Sequence, residues 1–309
     1  MKPWALVDFS NLAHRALHTL QGMSHNEVPT GIIFGFFQQL LTVCNDPYIA
    51  SNRVALFFDS RQSYRRRSYP EYKAKKHQEA TPEELNILKV FVQQVKVLRD
   101  EILPGIGFPC YRQIGLESDD LIASAADSLR DGMSKERVAV VVTADHDLFQ
   151  VISDNTHWYD PYRGKYLDVV GYRKETELSS VDQWALFKAL AGCHSDNVKG
   201  VPGVGTKTAI LYLSGVLPIT SKKHLAIVSD EGKKTFQRNL GLVRLPHAKT
   251  KPVVLREPVY DEKAFLRCCK TYGLASYMEG QRKRDWQDFF AGKMGLGRGP
   301  SLRRGDRRD

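Results

Sequence analysis

The stretch GLESDDLIA, residues 115–123, sets Glu117, Asp119 and Asp120 within four consecutive positions just ahead of an apolar run. Acids in the first turn of a helix interact favourably with its positive end, about 0.3–1 kcal/mol each, and Ser118 is the expected N-cap, so helix electrostatics alone could account for the cluster. Further acids change that reading. Asp8 follows PWALV, Asp59 ends RVALFFD, and Asp145 and Asp147 close RVAVVVTADHD. Seven carboxylates gathered in one pocket repel one another at neutral pH unless cations neutralise them. An all-oxygen donor set calls for Mg²⁺ or Mn²⁺ rather than Zn²⁺. More than four acids call for two ions, a pair that stabilises the attacking and leaving oxygens of a phosphodiester displacement. His146, between two inward-facing neighbours, is expected to point away.

These acids meet only if the elements that carry them end on one edge. The three runs before Asp8, Asp59 and Asp145 are short, apolar and rich in Val, Leu and Phe, as strands buried on both faces are; FPCYRQI (108–114) is a fourth candidate. Helical patterns at 31–44, 82–103 and 118–130 alternate with them, which implies an α/β fold with a mostly parallel central sheet and flanking helices. In a parallel sheet those strand ends share one edge, the edge where such folds bind ligands. After about residue 176 the strands thin out, and 179–192, 206–215, 261–273 and 274–290 read as helices. The expected organisation is an α/β core over 1–175, a helical region over 176–290, which the charge and the glycine turn below mark as DNA-binding, and a disordered Gly- and Arg-rich tail over 291–309.

Charge points to the partner. Lys and Arg number 45 against 35 Asp and Glu, a net charge of +10 that suits a polyanion binder. In GCHSDNVKGVPGVGTKTA (192–209), Gly200, Gly203 and Gly205 precede a helix and form a turn whose N–H groups can receive a phosphate, with Lys188, Lys199 and Lys207 nearby. Thr206 separates Gly205 from Lys207, which excludes a Walker A loop; a helix-hairpin-helix type of DNA-backbone clamp fits better, and a plain helix-joining turn is the alternative. SRQSYRRRSYPEYKAKKHQ (60–78) interleaves bases with tyrosines, Tyr72 among them, as single-strand channels do; a solvated charged loop is the competing reading. No apolar run reaches the roughly 18–20 residues of a membrane span, and the five cysteines contain no CxxC pair, so a reduced, cytoplasmic protein is expected.

Taken in order, VDFSNLAHR, FFDS, YRRRSYPEYK, GLESDDLIA, TADHDL, SDNVKGVPGVGTKTA and, less closely, NLGLVRL (239–245) resemble the 5′-nuclease superfamily. That family comprises flap endonucleases and 5′→3′ exonucleases, including phage enzymes and the N-terminal nuclease domain of bacterial DNA polymerase I. The resemblance implies a PIN-like core with a helical arch at about 74–100. It places Asp8, Asp59, Glu117, Asp119 and Asp120 around a first Mg²⁺ or Mn²⁺, directly or through water, and Asp145, Asp147 and Asp196 at a second. It also implies Arg65 and Lys73 on the scissile phosphate at the active-site mouth, and Arg15 near the bound strand. Lys199, Gly203, Gly205 and Lys207 would grip duplex DNA, with K⁺ as a further ion at the 200–209 loop. The implied activity is metal-dependent phosphodiester hydrolysis of DNA leaving a 5′-phosphate, by a monomer acting on 5′ flaps or 5′ single strands and, by extension, RNA/DNA hybrids.

Two positions depart from the family pattern. The usual Gly-Asp-x-x-Asp-Asn reads GCHSDN here, with Cys193 at the first Asp position; Mg²⁺ binds thiolate poorly, so a weakened second site is expected. His14 stands where relatives often carry a base-stacking aromatic ring. Two other readings remain: a PIN-like endoribonuclease, which normally lacks the 192–209 clamp, and a catalytically silent DNA-junction binder.

Overall fold

The computed structural model describes residues 2–20, 22–74, 81–130 and 138–294. Six strands form the central sheet: β1 (Trp4–Asp8), β2 (Val54–Phe57), β3 (Cys110–Tyr111), β4 (Ala139–Val142), β5 (Thr156–Asp160) and β6 (Lys165–Leu167). Their order is β3-β2-β1-β4-β5-β6, parallel throughout except for the antiparallel β5–β6 pair. The strands read as unbroken apolar runs because both faces are covered. Ala5 and Val7 enter one core and Trp4 and Leu6 the other; Val54 and Leu56 divide in the same way from Ala55 and Phe57, and Val140 and Val142 from Ala139 and Val141. The fold class expected from the sequence holds.

Helix α1 (Phe9–Thr19) leaves β1 without a linker, with Asp8 as its N-cap accepting from the Asn11 amide at 3.4 Å. The N-terminus of α2 (Gly31–Asn45) has no capping side chain of its own. Gln94 serves instead, its Oε1 accepting from the Ile32 and Ile33 amides at 3.0 and 3.4 Å. After the short α3 (Tyr64–Ser68), α4 (Pro82–Val97) starts from a Thr81–Glu84 capping box and carries Gln94 and Phe91 on its buried face. Its outer face exposes Leu85 and Leu88. Of the arch expected at 74–100, residues 75–80 lie outside the described residues. Helix α5 (Ser118–Arg130) presents the acidic motif in its first turn.

The later helices divide between two tasks. Helices α6 (Gln183–Ala191) and α8 (Asp230–Val243) adjoin the acidic edge, α7 (Thr206–Leu213) packs on α6, and fully buried Asn239 on α8 donates to the carbonyls of Ala189 at 2.9 Å and Lys199 at 2.8 Å. By contrast, Phe265 of α9 (Glu262–Thr271) and Trp286 and Phe289 of α10 (Gly280–Phe290) join the core that contains Phe36 and Phe37 of α2. The tail expected to be disordered falls, from residue 295 onward, outside the described residues. Among the described residues no helix is long and apolar enough to cross a membrane.

Candidate metal centre

Strand register brings the acids together. Asp8 aligns with Phe57, and Val7 with Val142, so Asp59 and Thr143 emerge beside Asp8 on one edge of the sheet. The chain runs outward from β1 through β2 to β3 on one side and then crosses back to β4 on the other, and at this switch point a cleft of about 480 Å³ opens from Asp8 and Asp145 past His14 and Arg15 to Tyr162.

Asp8 accepts from Thr143 Oγ1 at 3.1 Å and Ser118 Oγ at 3.3 Å. Ser118 is therefore not the N-cap of α5: it is the first helical residue, and its hydroxyl turns to Asp8. Asp59, exposed, accepts from the Ser118 amide at 2.9 Å and Ser10 Oγ at 2.6 Å. Glu117 accepts from Ser63 Oγ at 3.0 Å, Tyr72 Oη at 3.1 Å and Lys73 Nζ at 2.6 Å. Buried Asp119 accepts no hydrogen bond among the described residues, while Asp145 takes one from the Asp147 amide at 2.8 Å.

Three of these carboxylates are answered by an internal cation: Asp120 by Arg65, Glu117 by Lys73 and Asp147 by Lys188. Asp8, Asp59, Asp119, Asp145 and Asp196 have no such ion pair among the described residues, and for Asp8, Asp119, Asp145 and Asp196 the cost shows in their protonation. Burial, reinforced by Asp59 and Asp145, pushes Asp8 up to about 7. Burial likewise raises Asp119 well above the usual carboxylate range, against the pull of Lys73. It raises Asp145, with Asp147 adding to it, and lifts Asp196 to about 6. Oxygen donors crowded at this cost are a fit for hard divalent cations, whose charge would return the carboxylates to their ionised form.

Other expected site residues take different places. Arg65 is not at a solvent-open mouth: it and Asp120 are both buried and each satisfies the other, with Nη1–Oδ2 at 2.6 Å and Nη2–Oδ1 at 2.7 Å. Tyr72 is not open to a base either, being buried with its hydroxyl on Glu117 and Lys73 Nζ 5.3 Å from its ring centroid. His14 stacks on Phe91 of α4 at 4.6 Å, and the Arg15 guanidinium lies over the Tyr162 ring at 4.9 Å. His146 does point away, stacking on Phe149 at 4.6 Å. Lys73 adopts φ +51°, and its amide donates to the Asp196 carbonyl at 2.8 Å, which ties the basic segment to the 192–199 hairpin. Gly203, at φ +75°, is exposed, as are Gly205 at the N-cap of α7, Lys207 in its first turn, and Lys199. Sequence reasoning missed Thr143 and Tyr162, and it took Lys188 for a neighbour of the glycine turn; a half-buried lysine six residues after Asp182 and five before Cys193 carries no local signal of its ion pair with Asp147.

A family model described as the 5′-3′ exonuclease, N-terminal resolvase-like domain matches residues 3–188. DNA polymerase I of Mycobacterium tuberculosis is 32% identical over 220 residues, 68% of this chain but 22% of that protein, so the chain spans under a quarter of the polymerase's length. The 5′-3′ exonuclease of Buchnera aphidicola is 28% identical over 250 residues, 76% of this chain and 83% of that protein. The T5 D15 protein co-crystallised with metal ions shares the fold, with a TM-score of 0.65 at 20% identity over 79% of this chain and 90% of that one.

Proposed function

The chain belongs to the 5′-3′ exonuclease family of 5′ nucleases, and on that premise we propose that it is a divalent-metal-dependent 5′ nuclease that hydrolyses DNA phosphodiesters as a flap endonuclease, a 5′→3′ exonuclease, or both. The carrying observation is the group Asp8, Asp59, Asp119, Asp145 and Asp196: five carboxylates near one strand edge, no internal cation on any of them among the described residues, and a cleft at the switch point beside them. Mg²⁺ or Mn²⁺ held there supplies charge neutralisation and polarises the attacking water.

The chain's own groups bind and orient. Arg15, exposed in the cleft, and Lys73, whose side chain is 35% exposed beside Glu117, are placed to hold the phosphate being cleaved. Ser63 and Tyr72 fix Glu117, which in turn fixes Lys73. Water adds in line at phosphorus, the P–O3′ bond breaks, and the product keeps a 5′-phosphate. In this reading residues 1–175 form the nuclease core and 176–290 the region that holds duplex, with Lys199, Gly203, Gly205 and Lys207 on the backbone and a K⁺ ion at that loop. The enzyme works as a cytoplasmic monomer on 5′ flaps, and RNA in hybrids is a secondary substrate.

A 5′-labelled flapped duplex, with single-stranded DNA and RNA controls, tests the proposal in Mg²⁺, Mn²⁺ and EDTA. Cleavage near the junction that EDTA abolishes is the expected result. RNA cleavage with indifference to the junction would replace it with an endoribonuclease, and binding without cleavage in either metal with a silent junction binder.

A further inference from the structure

The second ion implied by the family pattern meets an obstacle in this chain. Asp147, Cys193 and Asp196 each offer an atom within 4.8 Å of the others. A cation already reaches that place: Lys188 Nζ lies 2.5 Å from Asp147 Oδ1 and 3.4 Å from Cys193 Sγ. A third wall is aromatic. Trp184, one turn earlier on α6, has its ring centroid 5.7 Å from the ammonium and is itself fixed by Phe149 and Phe187 at 5.1 and 5.2 Å. Carboxylate, thiol and indole face together form a box around a side chain only 14% exposed.

Electrostatics favours this occupant over a hard ion. The Asp147 carboxylate beside it offsets the cost of burying the ammonium. Cys193 offers Mg²⁺ a sulfur in place of the carboxylate oxygen such ions require.

We propose that Lys188 is a resident cation standing in for a second divalent ion, so that the chain binds a single ion at the Asp8–Asp119–Asp145 group and keeps a fixed ammonium beside Asp147. The single charge of Lys188 balances the Asp147 carboxylate where Cys193 supplies none. This assignment rests on the metal-dependent reading above.

The test counts Mn²⁺ ions bound per chain by electron paramagnetic resonance titration of the full-length protein at pH 7.5, with circular dichroism confirming the fold of each variant. The wild type is expected to bind one equivalent. The double variant Cys193→Asp/Lys188→Gln, which restores a carboxylate and removes the ammonium, is expected to bind two. Should the double variant not fold, Lys188→Gln alone is titrated with Cd²⁺: a new thiolate–cadmium absorption band, absent from the wild type and from Lys188→Gln/Cys193→Ser, is expected as the box opens. Two equivalents in the wild type would mean that Lys188 swings aside for an ion and would overturn the assignment while leaving the nuclease reading intact. One equivalent in the folded double variant would also overturn it, as would absence of the cadmium band. No bound Mn²⁺ in the wild type would overturn the metal-dependent reading itself.

Discussion

Arg65 and Asp120 meet through two parallel contacts of 2.6 and 2.7 Å in the interior, their side chains 3% and 0% exposed. The pair joins distant parts of the chain: Arg65 Nε and Nη2 donate to the carbonyls of Leu242 at 2.6 Å and Arg244 at 3.0 Å, and the His247 amide donates to Asp120 Oδ1 at 2.8 Å. Asp120→Asn would leave a buried guanidinium facing a neutral amide. Breaking one side of such a pair costs about 3–5 kcal/mol, so urea denaturation should show a loss of that order. Unchanged stability would remove the pair's structural role.

Asp119 has the opposite balance. It is buried, raised in protonation and without an internal ion pair. Asp119→Asn removes one repelling charge, and the melting temperature of the metal-free protein at pH 8 should rise by about 1–2 °C, as a gain near 1 kcal/mol does for a chain of this size. A fall in EDTA would show that the carboxylate stabilises the fold without a metal.

The raised groups also fix a pH dependence. Asp8 and Asp196 titrate near 7 and 6 in the folded chain, above an ordinary aspartate, so the native state binds more protons than the unfolded state between about pH 4 and 7. Their contribution to stability is present below pH 4 and is lost as pH rises through 6 and 7. Ions must displace those protons, so Mn²⁺ affinity should increase about 20-fold between pH 5.5 and 7.5 from Asp8 alone. Isothermal calorimetry at the two pH values measures this; equal affinity would mean that Asp8 does not contact the ion.

Lys207 stands exposed in the first turn of α7, behind Gly203 and Gly205. Lys207→Ala should weaken duplex binding and lower the slope of log affinity against log salt by about 0.9, the share of one phosphate contact. Fluorescence anisotropy across a salt series gives the slope. An identical slope would take Lys207 off the DNA.

Much of this was legible in the sequence because the determining signals are local. PWALVD, RVALFF and RVAVVV announce buried parallel strands, and the acids that follow them fall on one edge by topology alone. The strand THWYD was not legible: it interleaves His157 with aromatic residues, and no Val- or Leu-rich run marks it. Within the cluster, residue type located the carboxylates but could not say which already had a partner. The answers to Asp120, Glu117 and Asp147 come from Arg65, Lys73 and Lys188, which are 55, 44 and 41 positions away and adjacent only through tertiary packing. NLGLVRL, a faint match as sequence, gains its meaning from backbone carbonyls that receive Arg65 and from the buried amide of Asn239.

The most direct test of the central claim is the single-turnover rate of flap cleavage at saturating Mn²⁺ for the wild type and for Asp119→Asn, both shown to be folded. Loss of a group that holds the ion should slow cleavage by at least about 100-fold, with no turnover by either protein in EDTA. Equal rates for the two proteins, or cleavage by the wild type that survives EDTA, would contradict a metal-dependent site built on the unpaired carboxylates.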